Sequence, residues 1–165
     1  MAELRSKIML MKQLEELQAN PNNIFSAGLK DDSDIYNWEI VIMGPPDTIF
    51  EGGVFNAVLS FPIEYPLRPP TMKFLSNMWH PNIYADGTVC ISILQDSRDF
   101  AWGNYRAGEC WLPVHTVQTI LLSVVSLLSD PNVTSPANLQ AAREFTQNYS
   151  EYKKKVSQCV RKSQE

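Results

Sequence analysis

A chain of 165 residues, 44% hydrophobic and 19% charged, has the length of one domain able to bury roughly 70% of its unfolded surface, and it is too apolar for disorder beyond its ends. Its 14 basic and 18 acidic residues leave a net charge of -4, without the basic footprint that a phosphate backbone demands, so nucleic acid is excluded as an expected partner. Three cysteines, an odd number with no Cys-x-x-Cys pair, make no disulfide framework and point to a reducing compartment, cytoplasm or nucleus.

Leu4, Ile8, Met11 and Leu14 recur at helical spacing until Asn20-Pro21-Asn22, predicting an amphipathic helix over 3–19. The apolar run from Ile8 to Met11 is too short for a signal-peptide core and follows Glu3, so export is not expected. Two alternating segments follow, 36–43 with Tyr36, Trp38, Ile40 and Ile42 on one face, and 54–61 with Phe55, Ala57, Leu59 and Phe61. They predict half-buried strands. Weaker strands are expected at 24–29 and at 71–75, where Met72 and Phe74 share a face. The links are too short for the crossover that parallel neighbours need, so the sheet is expected to be an antiparallel meander.

Nearly 40 residues after Leu75 carry Pro, Gly and Asn punctuation without clear periodicity. A stretch of that kind inside a compact domain is usually functional. Residues 114–129 fall short of a membrane span and carry Thr116, Gln118, Thr119, Ser123 and Ser126; they read as a buried helix marked by Val117, Ile120, Leu121, Val124, Leu127 and Leu128 and stopped at Asp130-Pro131-Asn132. Ser135-Pro136 predicts an N-cap opening a third helix over 136–147. Tyr152, Val156, Cys159 and Val160 predict a fourth, with Arg161 and Lys162 at its negative end. Helix, strands, long loop and helices in that order make the class α+β, in a single domain over 1–165.

The long loop holds His80-Pro81-Asn82, a turn dipeptide Asp86-Gly87, and Cys90 between Val89 and Ile91. A turn there would fold Cys90 back toward Asn82. A neutral carboxamide beside a thiol suits acyl transfer, because it can donate to charge developing on a thioester carbonyl without moving a proton. Taken alone, a cysteine in an apolar run is more often an inert buried thiol, His80 is as readily a structural histidine as a base, and Asn82 is an ordinary turn residue.

In combination the blocks Trp38-Glu39, Gly44-Pro45-Pro46-Asp47-Thr48, Glu51-Gly52-Gly53-Val54-Phe55, Tyr65-Pro66-Leu67-Arg68-Pro69-Pro70, His80-Pro81-Asn82, Cys90-Ile91, Trp111-Leu112-Pro113 and Asp130-Pro131-Asn132 resemble the ubiquitin-conjugating enzymes along essentially the whole chain. The sixteen residues between Leu94 and Trp111, with Ser135-Pro136-Ala137-Asn138, resemble the G-type subgroup, which carries an insertion after its cysteine. The resemblance implies that Cys90 accepts ubiquitin as a thioester from an activating enzyme and passes it, with a ligase, to a substrate lysine, building polyubiquitin chains for proteasomal degradation. It implies further that Asn82 polarises the carbonyl or holds the loop in shape, that His80 braces the loop, and that Ser135 stands at a gate beside the cysteine, a role open alongside its helix-capping one. Ligases, RING-type ones foremost, would meet Lys12, Leu67, Leu112, Pro113 and Val114. No cofactor is implied, since ATP is consumed upstream by the activating enzyme and the chain has no Walker pattern. A monomer is expected, cytoplasmic or nuclear or recruited to a membrane by a partner.

The chain departs from the subgroup pattern where Gln95 replaces a usual His, where Asp96, Asp99 and Glu109 are offset by Arg98 and Arg106, where Cys110 precedes Trp111, and where the first helix shows Ile8, Met9, Leu10 and Met11 in place of exposed basic residues. Rival readings are a cysteine hydrolase with His80 or His115 as base, a silent binding module on the same fold, and a Pro-rich ligand at 66–70. Scattered Cys and His argue against zinc.

Overall fold

The computed structural model describes residues 1–99 and 110–165; Arg106, Glu109 and the side chain of Asp99 lie outside that description. The elements follow in the order α1 (Ala2–Ala19), β1 (Phe25–Leu29), β2 (Asn37–Met43), β3 (Val54–Ser60), β4 (Thr71–Phe74), α2 (Val117–Ser129), α3 (Leu139–Gln147) and α4 (Tyr149–Ser163). Two short 3-10 turns, Ser92–Leu94 and Ser97–Asp99, follow Cys90.

The four strands form an antiparallel meander in sequence order. Register sets Trp38 against Leu59, Ile40 against Ala57 and Ile42 against Phe55, and then Leu59 against Met72 and Ala57 against Phe74. Period-two alternation therefore puts every one of these side chains on one face, each no more than 2% exposed. Each large one contributes about 1.5–3 kcal/mol relative to exposure. They share one core with Val117, Ile120, Leu121 and Val124 of α2, and with Tyr152 and Val156 of α4.

The first helix forms as expected but turns a different face inward. Leu4, Ile8 and Met11 are more than half exposed, while Ser6, Leu10 and Leu14 are buried. Two apolar stripes wind around this helix, and the one that wins runs i, i+4 through Ser6, Leu10 and Leu14. Ser6 enters the interior because its hydroxyl is paired with Tyr36 Oη at 2.7 Å and donates to the Glu3 carbonyl at 3.0 Å.

The helical part of 114–129 begins at Val117, with Val114 80% exposed. Thr116 caps it: its side chain accepts from the Thr119 amide at 3.2 Å and its own amide donates to Thr119 Oγ1 at 2.9 Å. The third helix begins later than the Ser135-Pro136 signal predicted. Asn138 is its cap, accepting from the Ala141 amide at 3.0 Å. The amides of Ala137 and Asn138 both donate to the Pro81 carbonyl, at 2.8 and 3.0 Å, and so take a tertiary acceptor in place of the Ser135 hydroxyl that would have capped a helix starting at 136. Ser135 is exposed and caps nothing.

Candidate active site

The stretch between β4 and Cys90 is folded by its own turn. Thr88 donates its amide to Asp86 Oδ1 at 2.9 Å, and Gly87 takes φ +97 with its Cβ position only 2.1 Å from the Phe74 carbonyl oxygen. That conformation is open to glycine and to little else. The returning chain hydrogen-bonds along β4, Gly87 carbonyl to Phe74 amide at 2.8 Å and Val89 amide to Met72 carbonyl at 3.0 Å. The Cys90 amide then donates to the Asn82 carbonyl at 2.8 Å. The turn thus brings Cys90 and Asn82 together, through backbone. Cys90 is half-buried, with its thiol free.

The Asn82 carboxamide is engaged in the second of its two expected roles, holding the loop in shape. Its Nδ2 donates to the Asn132 carbonyl at 2.7 Å, and its Oδ1 accepts from the Asn132 amide at 2.9 Å. Buried to 3% exposure, it satisfies both backbone groups of one residue on the segment after α2. As placed, its oxygen and one of its two N–H groups hold two loops together.

His80 is fully buried. Its Nδ1 accepts from the Asn82 amide at 2.9 Å, so the ring proton resides on Nε2, which donates to the Leu127 carbonyl at 2.8 Å. Burial pushes its pKa down to about 4, against the opposing pull of the Leu127 bond. A neutral ring with both nitrogens engaged is a brace and cannot serve as general base. His115 packs at a tilt against Trp111 with ring centroids 5.5 Å apart and has its Nε2 buried without a partner among the described residues. A hydrolase triad therefore lacks its His80 member.

Ser135 lies on the segment that Asn82 and Pro81 hold from either side, at 132 and at 137–138. Ser135 is exposed on that segment. Asn132 was visible in the sequence as part of a helix stop; its role as the partner of Asn82 has no local signal, because the two are fifty residues apart.

With this geometry in view, similarity decides the family. The family model described as ubiquitin-conjugating enzyme matches residues 9–160. The chain belongs to the ubiquitin-conjugating enzymes. It is 59% identical over 161 residues to the probable ubiquitin-conjugating enzyme E2 7 of Caenorhabditis elegans, covering 98% of each chain. It is 54% identical over 165 residues to ubiquitin-conjugating enzyme E2 14 of Arabidopsis thaliana, covering 100% of this chain and 99% of that one. The solved structure of human ubiquitin-conjugating enzyme E2 G1 superposes with a TM-score of 0.69 at 54% identity, covering 77% of this chain and 97% of that one, in agreement with the G-type resemblance. The protein is accordingly a transferase that works through a cysteine thioester.

This conjugating enzyme gathers its expected ligase-facing residues from three separate elements. Gln13 of α1 donates from Nε2 to Tyr65 Oη at 2.8 Å and accepts at Oε1 from the Val117 amide at 2.9 Å. Trp111 Nε1 donates to the Pro66 carbonyl at 2.8 Å, and its ring lies 5.9 Å from that of Tyr65. Around this polar and aromatic seam Leu67 is 68% exposed and Leu112 41%, with Lys12, Pro113 and Val114 also at the surface. Leu67 is largely free of the loop packing, whereas Leu112 is more than half covered by it. Gln13 carries no signal in the sequence that would have singled it out.

The insertion begins differently from its charge count. Asp96 is buried, taking Arg98 Nη2 at 3.0 Å and Arg68 Nε at 3.1 Å. Hydrogen bonds from Arg98 and then Arg68 hold its carboxyl well below the usual carboxylate range, against the opposing effect of burial. Its charge is neutralised within the fold, so it adds nothing to an acidic surface. Among the described residues no group of three or more His, Cys, Asp and Glu could hold a metal ion, and no helix is long and apolar enough to cross a membrane.

Proposed function

We propose that Cys90 is the thiol that carries ubiquitin. The observation that supports this reading is the placement of a half-buried free thiol on a loop fixed by the Cys90–Asn82 backbone bond, the buried His80 brace and the Asn82–Asn132 pair. Chemically, the Cys90 thiolate attacks the thioester carbonyl presented by the activating enzyme, forming a new C–S bond as the old C–S bond breaks and that enzyme's thiolate leaves. A lysine amine then attacks the same carbonyl; the C–N bond forms, the C–S bond breaks, and the proton lost by the amine balances the one Cys90 can take back. The reaction is isoenergetic in its first step and needs no further cofactor, the ATP having been spent upstream.

On this reading Asn82 acts chiefly by holding Asn132 and the Ser135 segment in place, and Ser135 borders the path of the incoming amine. Leu67, Leu112, Pro113, Val114 and Lys12 form a small apolar contact with a polar surround, suited to a transient partner such as a RING-type ligase. The protein works as a monomer in the cytoplasm, extending polyubiquitin chains that mark substrates for degradation.

The test is a charging reaction with activating enzyme, ATP and ubiquitin, resolved on gels with and without reductant. Wild type and Cys110→Ala form a reducible adduct and Cys90→Ala forms none; an adduct that survives Cys90→Ala and vanishes in Cys110→Ala overturns the assignment. Asn82→Ala still charges, loses about 1–3 kcal/mol of stability as the Asn132 groups go unpaired, and discharges to lysine up to ~10²-fold more slowly. Loss of stability with unchanged discharge would leave Asn82 no part in the transfer.

A further inference from the structure

A carboxylate outside the thioester loop is buried without belonging to it. Glu144 of α3 is 8% exposed, and its oxygens take three donors: Trp79 Nε1 at 2.9 Å, Lys155 Nζ of α4 at 2.6 Å, and Gln140 Nε2 at 3.4 Å. The same ammonium sits 4.6 Å from the centroid of the Trp79 ring. Indole, carboxylate and ammonium thus make a closed clasp, in which the charge is paired and the indole N–H is satisfied. Apolar packing could bury a tryptophan; a directional N–H bond to a buried charge sets the angle of its ring as well.

Trp79 is the residue before His80. The position of its indole therefore sets where the chain enters His80, Pro81 and Asn82. Helix α3 grips this short stretch twice: Asn138, its cap, donates its amide to the Pro81 carbonyl, and Glu144, six residues or about 9 Å along the axis, holds Trp79.

We infer that Glu144 is a positioning residue for discharge of the thioester, acting through Trp79 on the loop that carries Asn82 and faces Cys90; the inference rests on Cys90 as the carrier. Charging takes place against a partner that presents its own activated thioester. Discharge to free lysine depends on this chain alone to hold the carbonyl while the tetrahedral oxyanion forms, and a small displacement there is costly.

The experiment is single-turnover discharge of purified thioester to free lysine across a range of lysine concentrations, at a temperature well below each variant's Tm. Glu144→Ala and Trp79→Phe charge normally, and their limiting discharge rates fall ~10-fold and ~3-fold, with the half-saturating lysine concentration unchanged. Glu144→Gln keeps an oxygen for the indole and recovers most of the rate. Trp79→Phe leaves Glu144 paired with Lys155, so it remains informative if Glu144→Ala folds poorly. Wild-type limiting rates in both variants, with a lowered Tm alone, would overturn the inference and leave the clasp purely structural. Failure of wild type itself to charge would overturn the carrier reading and this inference with it.

Discussion

Lowering the pH should loosen the loop that carries Asn82 and Cys90 through His80 before any carboxylate is reached. The ring is fully buried, with its pKa at about 4 against an ordinary 6.5. Between those values the unfolded chain binds a proton that the folded one refuses, so stability is complete above about pH 6.5 and falls as the pH drops through the window. From pH 7.5 to pH 5 the loss from this one residue is about 2 kcal/mol, and reaches about 3 kcal/mol near pH 4. For a chain of this size 2 kcal/mol corresponds to a fall of about 4–8 °C in Tm. The assay is urea unfolding at a series of pH values for wild type and His80→Gln, taking the difference so that other titrating groups cancel. Wild type should lose about 2 kcal/mol more than the variant over that range. Parallel curves, or a His80 ring that titrates near 6.5 by NMR, would refute the account of a neutral ring donating from Nε2 and accepting at Nδ1.

Gly87→Ala places a Cβ 2.1 Å from the Phe74 carbonyl at φ +97; it should cost about 2 kcal/mol or more and slow both charging and discharge, measured by thermal unfolding and the gel assay. Leu67→Ala removes a largely exposed side chain and Leu112→Ala one that is more than half covered, so stability should fall by no more than about 0.5 and about 1 kcal/mol respectively. Charging should persist while ligase-stimulated discharge drops about 5-fold or more. A collapse in Tm would show that these leucines pack the fold.

Strands β2 and β3 were legible in the sequence because a strand buries every second residue, and a side-chain period of two is written directly in Trp38, Ile40, Ile42 and in Phe55, Ala57, Leu59. The stop of α2 and the turn at Gly87 were likewise local, set by proline and by a backbone angle that glycine tolerates. Cys90, His80 and Asn82 were legible as a combination, through motifs whose order spans the chain. The inward face of α1 was not: Leu4, Ile8 and Met11 match helical spacing as well as Leu10 and Leu14 do, and the choice falls to the distant core residues that Leu10 and Leu14 join, with Tyr36, thirty residues from Ser6, satisfying the one hydroxyl on that face. The start of α3 was misread for a similar reason. Ser135-Pro136 is a sound local signal, and the Pro81 carbonyl overrides it from outside the segment.

What the sequence determined by itself, then, was the order of elements and the antiparallel sheet, which rest on short-range periodicity, while Cys90 was singled out only by the resemblance of motifs along the chain to a known family. Tertiary structure decided what the neighbours of that cysteine do. The Asn82 carboxamide is committed to Asn132, the His80 ring to Leu127, Asp96 to two arginines and Glu144 to Trp79. Each of these pairings joins chemistry that sequence can name to a partner that only folding brings within hydrogen-bond distance, and a buried polar group takes its role from the partner that satisfies it.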